Sequence, residues 1–437
     1  AYQNQQWRLS PRGDSLDAEL VLKPAPRVGL LWETEGTNTS GIYGLQTAIE
    51  VRDRNPFGGL EALSGTMAGG LGVAVGDTSS LFRTYFLELG LQLEVPDLIG
   101  LPKVRRNQAR SSANFTLGRQ YRREFDRLAV SGELHYHWEA PNRMTWDLKP
   151  LYATYVDLRG IDSTFYAALA SKSGFQDILI LGPRMSLKRP TLSEGRWSRR
   201  SEWSFETSGI LTDLGMLATK SARDQPFTLA NVPYAHYLRA EADYRWRFRG
   251  RQRREGAMRV QAGYLHALAN SPGLPPFERA FYAGGSNDLR SWINFRIGPG
   301  ALPKAVFDTA GILGSGSIKL LGQAEWRFPI AGSTFGAVFL DAGNVWLTSA
   351  NAATAQWDLL DNPELREAVS FNLLRMPRQT ALGMGFGLRY DFDFFIARAD
   401  WGLQVYDPRR LATGDAWWRP SEGIRRSALQ IAIGLPF

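Results

Sequence analysis

The stretch Gly284-Gly285-Ser286-Asn287-Asp288-Leu289-Arg290-Ser291-Trp292 places one guanidinium between two large apolar side chains, in a segment with no strand or helix periodicity. Such an arginine can stand in water, hold a phosphate, or enter a carboxylate pair out of water. Few other residues combine the types and spacings that chemistry needs. His135 and His137 share one face of an alternating segment with Glu133 and Glu139, and His-x-His on a strand can bind metal. "GLGVAVG" (70–76) has a dinucleotide-like glycine spacing, but no helical pattern follows and the acidic partner is missing, so it reads as a strand. There is no nucleophile elbow, P-loop or HExxH motif, and there is no cysteine for a disulfide, thiolate metal site or nucleophile. The sequence thus points away from an enzyme. Because polar faces of alternating segments carry such residues generically, neither a metal nor a cofactor is expected.

The elements that must position Arg290 follow from composition and periodicity. The chain has 437 residues, is 44% hydrophobic and contains no run of 18 apolar residues, which excludes transmembrane helices. Yet it carries 14 Trp, 15 Tyr, 23 Phe and 44 Gly, a combination that suits an all-β protein with a membrane surface. The net charge of +8 is spread along the chain, and basic runs such as Arg251–Arg254 are short. A nucleic-acid partner would need a concentrated basic face, so none is expected.

Period-two alternation settles the architecture. In "ALGMGFGLRYDF" (381–392), Leu382, Met384, Phe386, Leu388, Tyr390 and Phe392 alternate with small or polar residues. Residues 234–248 repeat the idea, with His236, Leu238, Ala240, Ala242, Tyr244, Trp246 and Phe248 on the apolar side. About sixteen such segments begin near 28, 41, 59, 80, 111, 127, 143, 175, 201, 234, 256, 315, 334, 380, 393 and 427. Most are long enough to cross a bilayer when tilted, and only helices and closed barrels satisfy every backbone group in lipid. The expected fold is therefore a 16-stranded antiparallel transmembrane β-barrel. In its last segment, "SALQIAIGLPF", the outward set is Leu429, Ile431, Ile433, Leu435 and Phe437.

The same parity places two carboxylates in the lumen. With Ile318, Leu320, Gly322, Ala324, Trp326 and Phe328 outward, Lys319, Gln323, Glu325 and Arg327 face inward; with Gly336, Val338, Leu340, Ala342 and Trp346 outward, Asp341 faces inward. Glu325 and Asp341 sit on neighbouring strands just after the loop that carries Arg290.

Residues 269–313 form the longest stretch without alternation, and long loops in compact folds are usually functional. Its "ERAFYAGGSNDLRSWINFRIGPG" resembles the sixth extracellular loop of the BamA/TamA superfamily of outer-membrane insertases and transporters, whose core is Arg-Gly-aromatic and here reads Arg290-Ser291-Trp292. "AEWRFPI" (324–330) and "FLDAGNVW" (339–346) resemble that family's strand 12 and strand 13 motifs, and the terminal phenylalanine resembles the assembly signal of bacterial outer-membrane proteins. The resemblance implies that the loop folds into the lumen and that Arg290 docks on Glu325 and Asp341. Gly284 and Gly285 would allow the tight turn, and Leu289 and Trp292 would pack beside the pair.

Residues 1–25 do not read as barrel. "QQWRLS" (5–10), a "SPRGD" turn and "SLDAELVLKP" (15–24) resemble the closing strands of a last periplasmic POTRA module, with the barrel at 26–437. The start at Ala1 reads as a processed or truncated product. "ETEGTNTSGIYG" (33–44) and "RDRNPFGGLE" (52–61) are similar to segments of Bacteroidota TamA-like proteins.

Two functions compete. One is outer-membrane protein assembly by a barrel that opens between its first strand (Leu30, Trp32, Thr34) and its last (Leu429, Ile431, Ile433, Gly434, Phe437). The resemblance then implies unfolded outer-membrane clients, membrane lipid and lipopolysaccharide, and periplasmic or membrane accessory subunits as partners. The other is a conduit, either a polypeptide-secreting transporter of the same superfamily or a passive porin.

Overall fold

The computed structural model describes residues 2–24, 26–39, 42–74, 84–100, 107–122, 125–161, 176–219, 228–268, 270–271, 276, 278–309, 314–354, 361–393 and 395–437. The last two residues of "GLGVAVG" lie outside them; the others belong to a strand. The first two strands, β1 (Tyr2–Arg12) and β2 (Ser15–Pro24), pair only with each other, in an antiparallel hairpin turned at Gly13 with φ +61°.

Sixteen further strands form one antiparallel sheet in strict chain order. They are β3 (Val28–Thr39), β4 (Ile42–Asp53), β5 (Ala62–Ala74), β6 (Thr84–Pro96), β7 (Asn107–Arg122), β8 (Asp126–Glu139), β9 (Thr145–Arg159) and β10 (Ile178–Glu194). Then come β11 (Trp197–Ser208), β12 (Tyr237–Arg249), β13 (Glu255–Ala267), β14 (Ile318–Ala331), β15 (Thr334–Trp346), β16 (Ala381–Asp391), β17 (Ile396–Tyr406) and β18 (Ser427–Ile433). Each begins within four residues of the start expected from alternation. The long connections 160–177, 209–236, 268–317, 347–380 and 407–426 all leave the same rim. Outer-membrane barrels keep long loops outside and short turns on the periplasmic side. The hairpin joins β3 at the short-turn rim.

The two faces differ as lipid and lumen require. In β16, Met384, Phe386, Leu388 and Tyr390 are exposed, whereas Gly383, Gly387 and Arg389 are buried. Exposed large apolar residues recur around the sheet, among them Leu45, Ile49, Met67, Leu87, Phe205, Val260 and Leu340. A surface so apolar is not stable in water and matches a hydrocarbon environment. Near the short-turn rim, Trp138 stacks on Trp146 with ring centroids 5.7 Å apart, and Trp197 lies 4.9 Å from Phe248, as in an interfacial aromatic girdle.

Three expectations need correction. Trp346, at the end of β15, does not face outward: it is fully buried and its Nε1 donates to Gln379 Oε1 at 3.0 Å. The last strand ends at Ile433, because Gly434 adopts φ +81° and turns the chain inward. Phe437 is therefore not on the outward face: it is 3% exposed, and its carbonyl oxygen accepts from Arg247 Nη2 (3.2 Å) and Arg327 Nη2 (3.3 Å) in the lumen. His236 precedes β12 rather than joining its lipid face, and its Nδ1 lies 3.3 Å from Asp213 Oδ2.

A sixteen-stranded barrel resists detergent at room temperature. The unboiled protein is expected to migrate differently from the boiled protein on a denaturing gel, with β-rich circular dichroism. Equal migration with full recovery in a soluble fraction would contradict the barrel.

Candidate functional site

The site is the lumenal loop and the wall that receives it. Gly284 and Gly285 have φ of +100° and +96°, and a Cβ on Gly284 would lie 2.5 Å from the Ile293 carbonyl oxygen, so the turn requires glycine there. Asp288 closes it from inside: its Oδ1 accepts from the amides of Gly284 (2.9 Å) and Leu289 (2.8 Å), and its Oδ2 pairs with Lys319 of β14. Leu289 and Trp292 are fully buried in an apolar cluster with Ala283, Ile297, Leu321 and Val345.

Between them Arg290 is 0% exposed. Its Nε (2.9 Å), Nη2 (2.7 Å) and backbone amide (3.0 Å) all donate to Asp341 of β15, while Nη1 pairs with Glu325 of β14. The guanidinium also stacks 3.7 Å from the centroid of Phe339. Glu325 is shared with Arg327 Nε at 2.7 Å and Arg389 Nη2 at 3.2 Å. Arg389 Nη1 continues to Asp400 (2.6 Å), which Arg398 Nη1 reaches at 2.8 Å. Arg290, Leu289 and Trp292 thus meet one wall, while Gly284 and Gly285 shape the turn that presents them.

The wall grips the loop backbone as well. Gln323 donates to the carbonyl of Asp288 (2.7 Å), Arg259 of β13 to that of Asn287 (2.9 Å), and Arg398 of β17 to that of Ser286 (2.8 Å). Gln404 of β17 donates to Ser291 O (3.0 Å) and Gln430 of β18 to Trp292 O (3.2 Å). The docking surface therefore runs from β13 to β18.

The departure from Arg-Gly-aromatic has a local compensation. A Cβ on Gly383 would fall 2.3 Å from Ser291 Oγ, and one on Gly402 would fall 2.7 Å from it. Two wall glycines leave the volume that the serine side chain occupies.

Sequence reasoning missed a second anchor. Arg279, near the start of the loop, donates from Nε to Glu206 of β11 at 2.7 Å, and Tyr152 and Tyr237 bond to the same carboxylate oxygen. Glu278 Oε1 lies 3.4 Å from Arg127 of β8. The inward parity of Glu206 was the only available signal, and nothing in it singles out Arg279. The start of the loop is consequently held on β8 and β11, and its tip on the wall from β13 to β18.

The seam residues lie elsewhere. Leu30, Trp32 and Thr34 are exposed on β3, and Leu429, Ile431 and Ile433 are exposed on β18. Gly434 and Phe437 leave the seam for the lumen. Among the described residues no hydrogen-bonded ladder joins β3 to β18.

A sixteen-stranded barrel with an ion-locked lumenal loop defines a class of outer-membrane protein, and comparison agrees. Residues 72–417 match the Omp85 superfamily domain, and the chain belongs to that superfamily. Its members are outer-membrane barrels that insert or transport proteins. The chain is similar to the crystal structure of BamA from Haemophilus ducreyi lacking POTRA domains 1–3. The identity is 13%, the match covers 92% of this chain and 72% of that one, and the TM-score is 0.60. It is also similar to CdiB from Acinetobacter baumannii at 14% identity, covering 93% of this chain and 63% of that one, with a TM-score of 0.50. At such identity the likeness speaks to the fold alone.

Removing Arg290 strands Asp341, whose remaining side-chain partner is Gln323 at 3.3 Å. Losing one partner of a buried pair costs about 3–5 kcal/mol. Arg290→Ala is expected to expose 284–300 to protease while the barrel stays heat-modifiable; equal protection in variant and wild type would contradict the lock. Gly383→Ala should loosen the loop in the same assay, and Ser291→Gly in the same chain should restore protection. Full protection in the single variant, or no rescue in the double, would remove the assigned packing role.

Proposed function

We propose that this chain assembles other outer-membrane proteins by opening its barrel between β3 and β18 and pairing the freed edge with a client strand. The observation that carries this reading is the weak seam. β18 has only seven residues, where β3 has twelve, and Gly434 ends it early. An unpaired edge offers a row of N–H and C=O groups to another chain, and strand addition needs no further chemistry. The opening would be flanked by Leu30, Trp32 and Thr34 on one side and Leu429, Ile431 and Ile433 on the other. Unfolded outer-membrane proteins are then the clients, and lipid and lipopolysaccharide border the opening. The β1–β2 hairpin belongs to the end of a POTRA module, through which periplasmic or membrane accessory subunits would act.

A secretion conduit is the second reading. A cavity of about 420 Å³ lies between Glu278 and Arg279 of the loop and the wall of β6 to β9, lined by Glu88, Arg119, Arg127 and Thr154. A translocating chain would have to widen it by moving the loop. A passive porin is disfavoured, since the loop is held inside the lumen by charged anchors.

The absence of native cysteine makes a direct test available. One cysteine is placed along 30–36 and one along 428–433, using the pair that crosslinks best. Client-barrel assembly is then compared in oxidised and reduced protein. Assembly should stop when the seam is locked and return on reduction; undiminished assembly by the locked protein rejects lateral opening.

A further inference from the structure

Away from the loop, near the short-turn rim, three metal-ligating side chains meet on the inner wall. His135 and His137 alternate onto the lumenal side of β8, and Asp147 is the cross-strand partner of His137 in β9. The β8–β9 register shifts between Leu134 and Tyr136, so the irregularity falls at His135. Such irregularities re-aim a side chain, and Pro150, opposite it, cannot donate to the ladder. Asp147 Oδ1 lies 3.1 Å from His135 Nε2 and 2.7 Å from His137 Nδ1. All three candidate donor atoms fall within 4.8 Å of one another. Glu133, which shares the histidines' face, is engaged elsewhere: Lys149 holds it at 2.8 and 2.7 Å, and Asn114 at 2.9 Å.

We propose that His135, His137 and Asp147 bind one divalent transition-metal ion, zinc by preference, at the periplasmic mouth of the barrel. Two imidazoles and a carboxylate, with a fourth position open to water, form a donor set that zinc accepts. In a tetrahedral site with bonds of about 2.0–2.1 Å the donor atoms stand roughly 3.3 Å apart. The two nitrogen–oxygen separations are already close to that, so the ion enters by small side-chain shifts.

Lys188 of β10 does not obstruct the site. Its ammonium lies 3.2 Å from Oδ2, the oxygen turned away from the imidazoles, and 3.8 Å from Glu202. That is the outer partner a ligating carboxylate needs in order to keep its orientation. On binding, each imidazole presents a lone pair at the nitrogen facing Asp147 and keeps its proton on the other ring nitrogen; any imidazolium releases a proton. Uptake must therefore weaken in acid. The competing reading of the same geometry is a hydrogen-bonded His–Asp–His cluster without metal.

Zinc itself is the probe that separates them. Tag-free folded protein in detergent is stripped with a chelator and titrated with zinc in competition with a chromogenic indicator; cobalt substitution then reports coordination through its visible absorption. The chain has only four histidines, so two controls complete the set. One zinc per chain is expected, with tetrahedral cobalt bands. Lys188→Met should weaken binding about 10–100-fold, as loss of an outer partner does, and His135→Ala/His137→Ala should weaken it further. His236→Ala and His266→Ala should leave it unchanged. Heat-modifiable migration identifies folded variants, and the single His137→Gln replaces the double variant if that one fails to fold. Wild type retaining no more zinc than the His135/His137 variants, or affinity that follows His236, overturns the site and leaves the hydrogen-bonded cluster.

Discussion

A guanidinium with no access to water, set between two buried carboxylates, is the constraint on which the loop and its wall depend. Moving any one of these charges out of water alone costs several kcal/mol, so none is tolerable without the others. Glu325 and Asp341 lie on adjacent strands, both fully buried, and would repel each other without Arg290 between them. The set extends through Arg327, Arg389, Asp400 and Arg398, so each carboxylate meets at least one arginine and the wall holds its charges in alternation. The strand phase that turns these residues inward also turns Trp326, Val338 and Leu340 to lipid. One register serves both faces.

The geometry of the lock reaches the barrel's edge. Gln404 and Gln430 bond the carbonyls of Ser291 and Trp292, and Gln430 belongs to the last strand. The guanidinium of Arg290 stands 6.0 Å from the ring of Phe437, beyond the end of that strand. A displacement of β18 therefore breaks contacts with the loop, while Arg279 and Glu206 hold the start of the loop on β11. Loop and seam are mechanically adjacent.

Much of this was legible in the sequence, for a definite reason. Alternation fixes which side each strand residue faces, so the sixteen segments and the inward direction of Glu325 and Asp341 could be read directly. What periodicity does not carry is contact between distant segments or a single left-handed residue. The direction of Phe437 was misread because Gly434 turns the chain where alternation predicts continuation. Arg279 with Glu206, Ser291 between Gly383 and Gly402, and Asp147 facing two histidines are pairings across the lumen or between neighbouring strands. No local pattern announces them.

The central claim, that the loop is a fixed lumenal plug held by buried charges, is tested most directly by amide hydrogen exchange on the folded barrel. The amides of Gly284, Gly285, Leu289, Arg290 and Trp292 are all bonded to loop or wall acceptors. Exchange across 284–292 should be as slow as in β14 and β15, since opening requires breaking the ion set. Exchange there as fast as in an exposed connection, with the strands still protected, would contradict the account.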